Sequence, residues 1–359
     1  MTMKVTRTIL LLPEESMRPR LADDRIGIFL TGLSRIDGKK ETIEDFSVIN
    51  RWDLQPKDVE AWKRGELVEP VKPIVFYLDD AFPELWREPI RRGVLRWNKA
   101  FEKIGFKNVM HIEDFPKDNP DFDPDNLKYS CIRYVPAAVA NAMGPSWVDP
   151  RSGEIINASV LMYNDVVRLA NTWRFVQTSQ VDERVRGKEL PDDVFQETLE
   201  YILAHEIGHT LGLMHNMAAS SAFPVDSLRS ASFTQKHGTT PSIMDYARFN
   251  YVAQPGDRGV KVTPPDLGPY DAARQERPVR RGENHPRMDR RKGRRPDLPL
   301  RPAAAHRALR PDRPGGGPRR RRHEGRRLRH RQPEIHPLAH GGVDSRRGGP
   351  RLVEAHPAL

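Results

Sequence analysis

His205-Glu206-Ile207-Gly208-His209-Thr210-Leu211-Gly212-Leu213-Met214-His215 sets three imidazoles and one carboxylate at the spacing HExxHxxGxxH. His205 and His209 are four residues apart, so on a helix they share one face and can bind one ion. Glu206 is rotated off that face yet stays within reach of a water held there. Gly212 permits the left-handed turn that ends a helix, after which the chain can swing His215 round as a third nitrogen ligand. Three such ligands leave the fourth position of a tetrahedral zinc open to water, which marks a catalytic rather than a structural site. Five fixed residues across eleven positions arise by chance on the order of 10⁻⁴ per chain of this composition.

The flanking sequence predicts the fold around that motif. Residues 192–211 lack proline, and Phe195, Leu199, Ile202 and Leu203 recur at helical spacing, with Asp192 and Asp193 placed as N-terminal caps. Upstream, residues 74–78 (Ile-Val-Phe-Tyr-Leu) are an apolar, β-prone run of strand length. Ile90, Val94, Trp97, Phe101 and Ile104 step by 4, 3, 4 and 3, which predicts one helix ended by Gly105. Residues 109–112 and 130–135 read as two further strands. Residues 142–148 and 154–162 flank the turn-rich stretch 149–153 and suit a hairpin. Downstream, Pro241 precedes Ser242-Ile243-Met244-Asp245-Tyr246, with Met244 lying 29 positions beyond His215.

This order of elements resembles the metzincin metalloproteases, in which the long motif is followed by a tight turn carrying a methionine below the metal. The Ser-Ile-Met-x-Tyr form is similar to the astacin and serralysin branches. There a tyrosine two places after the methionine helps stabilise the transition state, a role that the resemblance assigns to Tyr246, with Met244 as the turn methionine. More narrowly, residues 12–270 resemble a group of large bacterial zinc-dependent metalloproteases whose metzincin-like domain follows a long N-terminal region. The matching stretches are residues 63–70 (Lys-Arg-Gly-Glu-Leu-Val-Glu-Pro), 97–103, 140–156 and 205–216. The resemblance implies an α+β catalytic domain built from a twisted mixed sheet and a zinc helix. It implies one catalytic Zn2+ on His205, His209 and His215, and hydrolysis of a peptide or protein substrate with Glu206 as general base. It further implies that the substrate lies extended along an edge strand, here Asn141, Ala142, Met143 and Gly144 running on to Trp147. Asn216 departs from the well-known branches, so no side-chain preference carries over. Two other functions stay open: a zinc-binding chain impaired in catalysis, and a zinc hydrolase acting on a non-protein amide.

Composition divides the chain into residues 1–70, a partial upstream region; 71–271, the catalytic domain; and 272–359, an Arg- and Pro-rich tail. From residue 274 onward 25 Lys and Arg stand against 9 Asp and Glu, and Tyr270 is the last aromatic residue. That surplus of 16 leaves residues 1–273 at −6 within a chain of +10. Such a tail cannot bury enough apolar surface to offset chain entropy and is expected to be disordered. It lacks interleaved aromatics and any nucleic-acid module, which argues against a nucleic-acid partner. Arginine in place of lysine, with Pro, Gly, Ala and His, is what a GC-rich gene yields when read out of frame. A frameshift near Ala272 would explain it, and loss of the helix expected after Tyr270-Asp271 would leave Met244 and Tyr246 loosely held.

The apolar run at residues 9–12 is too short for a signal-peptide core or a membrane span. As written, the chain is expected in the cytoplasm, whereas its exported relatives imply the periplasm or the cell exterior. Cys131 is the sole cysteine, so no internal disulfide is possible, and its apolar neighbours suit a buried strand. Asp121-Phe122-Asp123-Pro124-Asp125 lacks the glycine and closing glutamate of a calcium loop and reads as a solvated acidic loop. Nothing in the pattern sets an oligomeric state.

Overall fold

Strand β1 (Leu30–Arg35) and strand β2 (Glu44–Ile49) pair antiparallel as a hairpin. Helix α1 (Val59–Lys63) follows, its first turn capped by the Asp58 carboxylate, which accepts from the Ala61 N–H at 2.9 Å. Then come β3 (Ile74–Leu78), α2 (Glu84–Leu95), α3 (Asn98–Glu102), β4 (Met110–Asp114) and β5 (Ser130–Val135). The chain continues through β6 (Ala142–Met143), β7 (Ser146–Val148), β8 (Ile155–Ala158), β9 (Val160–Tyr163), α4 (Val166–Thr178), α5 (Asp192–Thr210), α6 (Val225–Leu228) and α7 (Ala231–His237). The computed structural model describes residues 5–23, 27–36, 38, 42–263 and 266–272. The tail read from the composition falls on residues beyond 272 and lies outside the described residues.

The central sheet runs in the order β4-β3-β5-β9-β6. Its first four strands are parallel and β6 is antiparallel to β9, so the sheet is mixed. β3 alternates buried and half-buried residues because it has a neighbour on each side, and Ile74, Phe76 and Leu78 enter the core. The two-residue β6 forms one edge. β7 and β8 make a separate hairpin whose turn holds Gly153 at φ +75°, within the predicted stretch 149–153.

Two helices carry the core between the sheet and the motif. Along α2, Ile90 and Val94 are fully buried and pack with Leu199, Ile202 and Leu203 of α5. The helices come close because Gly93 lacks a side chain: a Cβ there would stand 3.0 Å from the Glu200 carbonyl oxygen and 3.2 Å from Leu203 Cβ. Arg92 and Arg96 of the first helix both pair with Glu200 at the rim of this crossing. Behind it, the fully buried Arg174 of α4 bonds Glu197 at 2.7 Å and Thr198 at 3.1 Å, and covers the Phe249 ring. Those partners offset the desolvation of a buried cation.

Several boundaries differ from the sequence reading. The expected helix through Ile90–Ile104 is two helices, because the chain tightens at Arg96 and Trp97, where Trp97 N–H bonds the Val94 carbonyl three residues back. The expected strand 154–162 is also two. It divides at Ser159, whose N–H leaves the ladder for the Pro145 carbonyl, so β8 joins the hairpin and β9 the central sheet. The expected strand 142–148 divides likewise at Gly144-Pro145. Pro191, rather than Asp192 or Asp193, is the N-cap of α5, and the two aspartates sit in its first turn, where they face the positive helix end.

Candidate metal centre

The last turn of α5 presents His205 and His209 on one face, and the chain then leaves the helix through the predicted glycine. Gly212 adopts φ +92°. Gly212 N–H bonds the His209 carbonyl at 2.9 Å and Leu213 N–H bonds the Gly208 carbonyl at 3.0 Å, a paired closure that satisfies the last helical carbonyls. The turn brings His215 back so that one ring nitrogen from each histidine lies within 4.8 Å of the others.

Backbone carbonyls fix the tautomers. His205 Nδ1 lies 2.8 Å from the Ile243 carbonyl oxygen and His209 Nδ1 lies 2.8 Å from that of Leu213. A carbonyl only accepts, so each Nδ1 carries the proton and each Nε2 keeps its lone pair. His209 Nε2 faces His215 Nε2 at 3.0 Å, and His205 Nε2 is buried without any partner among the described residues. Burial pushes the His205 imidazole well below its usual pKa, holds that of His209 at about 4 and lowers that of His215, so all three rings are neutral. Neutral imidazoles with convergent lone pairs and oriented N–H groups are the donor set of a zinc site with one open position. The residues fit the ion.

Glu206 is buried beside them, and burial alone pushes its carboxyl up to about 8. Gly208 has no room for a side chain, since a Cβ would meet the Met244 sulfur and stand 3.0 Å from the Trp97 ring. Met244 is thus seated directly beneath the motif helix. The Trp97 indole donates to the Ala204 carbonyl at 2.9 Å, which fixes the helix one residue before the first histidine.

The turn that carries Met244 is tied from three directions. Asn216 N–H, next to the third histidine, bonds the Met244 carbonyl at 2.8 Å. Asp245 is buried and accepts from Ser220 at 2.6 Å and from Thr240 at 3.0 Å. Asp271 lies wholly inside and accepts from the Ser242 hydroxyl at 2.6 Å and from the Ile243 and Gly268 N–H groups at 2.8 Å. Residues 269–272 are helical. The expectation of a loosely held Met244 is therefore corrected: the segment read only as a lead-in delivers the clamp, and Met244 is fully buried.

The Tyr246 ring lies tilted 4.4 Å from that of His215, and its hydroxyl is buried with no partner among the described residues. Burial raises this phenol to about 12, so it is a hydrogen-bond donor at neutral pH. Of the expected edge-strand residues, Ala142 and Met143 form β6, while Asn141 and Gly144 flank it. Gly144 crosses the motif helix so closely that a Cβ would stand 2.5 Å from the Glu206 carbonyl oxygen. The edge thus passes directly against the backbone of the motif helix at Glu206. Cys131 is buried in β5 as expected, its thiol pushed up to about 12 by burial.

Upstream residues, which the sequence reading did not connect to the site, hold the third-ligand loop. Phe29 N–H bonds the Gly212 carbonyl at 2.8 Å, Met214 N–H bonds that of Gly27 at 3.0 Å, and Asn50 N–H bonds that of Phe29 at 2.8 Å. The Phe29 ring lies 5.7 Å from the His209 ring, and the Trp52 indole donates to the Thr210 carbonyl at 2.9 Å. Gly212 is required a second time here, because a Cβ would run into the Asn50 carbonyl. The only advance signal was the glycine itself.

Residues 187–274, which include all three histidines and the methionine turn, match the family model described as Met-zincin. The matched segment, the mixed sheet with its helices and the three-histidine cluster together make a metzincin-like α+β fold. Residues 1–57 match a domain of unknown function (DUF5117). No curated protein matches the chain. Among solved structures, a chain of the GM1-bound form of the ECX AB5 holotoxin overlaps 56% of this chain and 78% of its own, at 16% identity and a TM-score of 0.32. That likeness is too loose to bear on fold or function. Among the described residues no helix is long and apolar enough to cross a membrane.

Proposed function

We propose that the chain is a zinc-dependent endopeptidase whose catalytic domain spans residues 71–271. The observation that carries this reading is the convergence of three neutral histidine nitrogens, one of them buried and unpartnered, beside the buried Glu206. When bound, zinc supplies Lewis acidity toward a carbonyl oxygen and lowers the pKa of water to about 7. A cation held by the three histidines would favour the Glu206 carboxylate over the protonated form that burial alone favours, and that carboxylate accepts a proton as the water oxygen adds to the peptide carbonyl carbon. It hands that proton to the amine nitrogen as the C–N bond breaks. Tyr246, with a hydroxyl that has no partner of its own, donates to the carbonyl oxygen as charge gathers there.

Among the described residues β6 has a sheet neighbour on one side only, so its outer edge can take an extended peptide as one more strand, with Asn141 and Gly144 at its ends. An exported location follows from the resemblance to exported relatives. The test is cleavage of an unfolded protein by the purified full chain, beside Glu206→Ala and a zinc chelator, with metal content measured in parallel. Cleavage lost in both controls supports the reading. One zinc per chain without cleavage replaces it with a metal-binding chain impaired in catalysis. Turnover of a cell-wall amide but not of protein moves the substrate class.

A further inference from the structure

Among the described non-glycine residues only Asn108 and Arg248 have positive φ, at 53° and 47°. Asparagine tolerates that region; arginine does so at a cost, and such strain concentrates where a side chain must be aimed. Here it turns the Arg248 guanidinium between two rings, 4.1 Å from the centroid of Trp173 and 4.7 Å from that of Tyr246. Arg248 lines one small pocket together with Trp173, Tyr201, Ile202, His205, Glu206 and Tyr246. Arg248 is half-buried and, among the described residues, makes no ion pair and no side-chain hydrogen bond. Glu206 is the one carboxylate on the lining, and it too is buried without an ion pair among the described residues. A strained, ring-sandwiched cation beside the metal histidines, with its N–H fork unspent, calls for an anion from outside.

We propose that Arg248 is a specificity-determining residue that binds a substrate carboxylate within one residue of the cleaved bond. This rests on the peptidase reading above. The aromatic faces hold the planar guanidinium by cation–π contact and leave its edge free for a bidentate pair. Two sources carry the same group: an aspartate or glutamate side chain, or the carboxylate that ends a peptide. The half-buried setting protects the pair from the screening that weakens exposed ones.

The experiment uses the full zinc-loaded chain and three matched peptide sets. One carries Glu next to the bond and an amidated C-terminus, one carries Gln there with the same amide, and one carries Gln with a free carboxylate one residue beyond the bond. Cleavage is measured with the unaltered chain, and binding with Glu206→Gln, by fluorescence anisotropy. Arg248→Asn removes the charge while accepting the positive φ, so it keeps the fold, and Arg248→Asp reverses the charge on an equally tolerant backbone. The unaltered chain is expected to favour one carboxylate-bearing set over the neutral set by about 10- to 100-fold in kcat/KM and in affinity. Which set gains identifies the source. Arg248→Asn should erase the preference, and Arg248→Asp should transfer it to a Lys-bearing peptide. Charge-dependent binding by Glu206→Gln without any cleavage would uphold the Arg248 assignment and sink the peptidase reading. Equal use of all sets, unchanged in Arg248→Asn, would overturn the assignment and leave the peptidase standing. Absence of both binding and cleavage would overturn both.

Discussion

Replacing Gly208 by alanine should weaken this fold, although the same exchange inside an ordinary helix gains about 1 kcal/mol. The added Cβ would stand 3.0 Å from Cζ2 of Trp97, 3.2 Å from Cε of Met244 and within the contact radius of the Met244 sulfur. Both neighbours are fully buried. Trp97 is pinned by its bond to the Ala204 carbonyl, while Met244 meets the added Cβ with the end of its side chain, which must shift within a fully buried setting. Overpacking of this kind costs about 1–3 kcal/mol, and with Trp97 pinned and Met244 enclosed by buried neighbours the upper part of that range applies. The net expectation is a loss of about 1–2 kcal/mol once the helix gain is subtracted.

The sign should invert in a Met244→Ala background. That truncation by itself costs about 2–5 kcal/mol, but it removes both Met244 contacts and leaves a cavity into which the 3.0 Å approach to Trp97 can relax. Gly208→Ala should then recover about 1 kcal/mol. The four chains are compared by urea unfolding, read by tryptophan fluorescence, with chelator present so that metal linkage does not contribute. If Gly208→Ala raises the midpoint in both backgrounds, Met244 does not pack beneath the motif helix and the account of the turn is wrong.

Asp271 should leave a mark on the pH dependence of stability. Burial holds its carboxyl up at about 6 against an ordinary 3.8, so between those values the folded state binds the extra proton. Its contribution is therefore full below pH 4 and lost as pH rises through 6, by on the order of 3 kcal/mol, a slope that Asp271→Asn should remove from the unfolding profile. Gly144→Ala, whose Cβ would stand 2.5 Å from the Glu206 carbonyl oxygen, should lift β6 off the helix. We expect kcat/KM for peptides to fall by tenfold or more while zinc content stays at one per chain; unimpaired cleavage would separate this edge from the substrate. Zinc held at about a thousand times its Kd should add about 4 kcal/mol of stability. Chelation should accordingly speed amide exchange at Phe29 and Met214, and exchange rates indifferent to zinc would uncouple the upstream segment from the ion.

What could be read in advance depended on how far apart the interacting residues lie. β3, β5 and α5 emerge at or within a residue of their expected limits, because burial alternation and helical periodicity are local. The three histidines converge as expected for the same reason: their geometry is set within eleven residues and one left-handed glycine. Ser159 and Trp97 end elements through partners that periodicity does not register, so the runs 154–162 and 90–104 looked continuous. Asp271 reaches back 28 residues to Ile243, and Trp52 reaches forward 158 to Thr210. Composition and spacing carry no trace of such pairings. Arg248 was invisible because its significance lies in a backbone angle and two ring faces.

The lacing of residues 27–29 into the third-ligand loop bears on the order in which this molecule assembles. Ile28 bridges Leu213 across 185 positions of chain, and the contact completes the support of His215. Closing so long a loop adds little to the equilibrium cost, which grows only with the logarithm of its length. Its weight is kinetic: contacts of such separation form late, after local helices and hairpins are in place. His205 and His209 are paired as soon as α5 exists, whereas the loop that carries His215 waits for residues 27–29, distant in sequence. Full coordination is thus a closing event of folding. The segment matched by DUF5117 and the one matched as Met-zincin meet there in direct backbone contact, although two separate sequence patterns describe them.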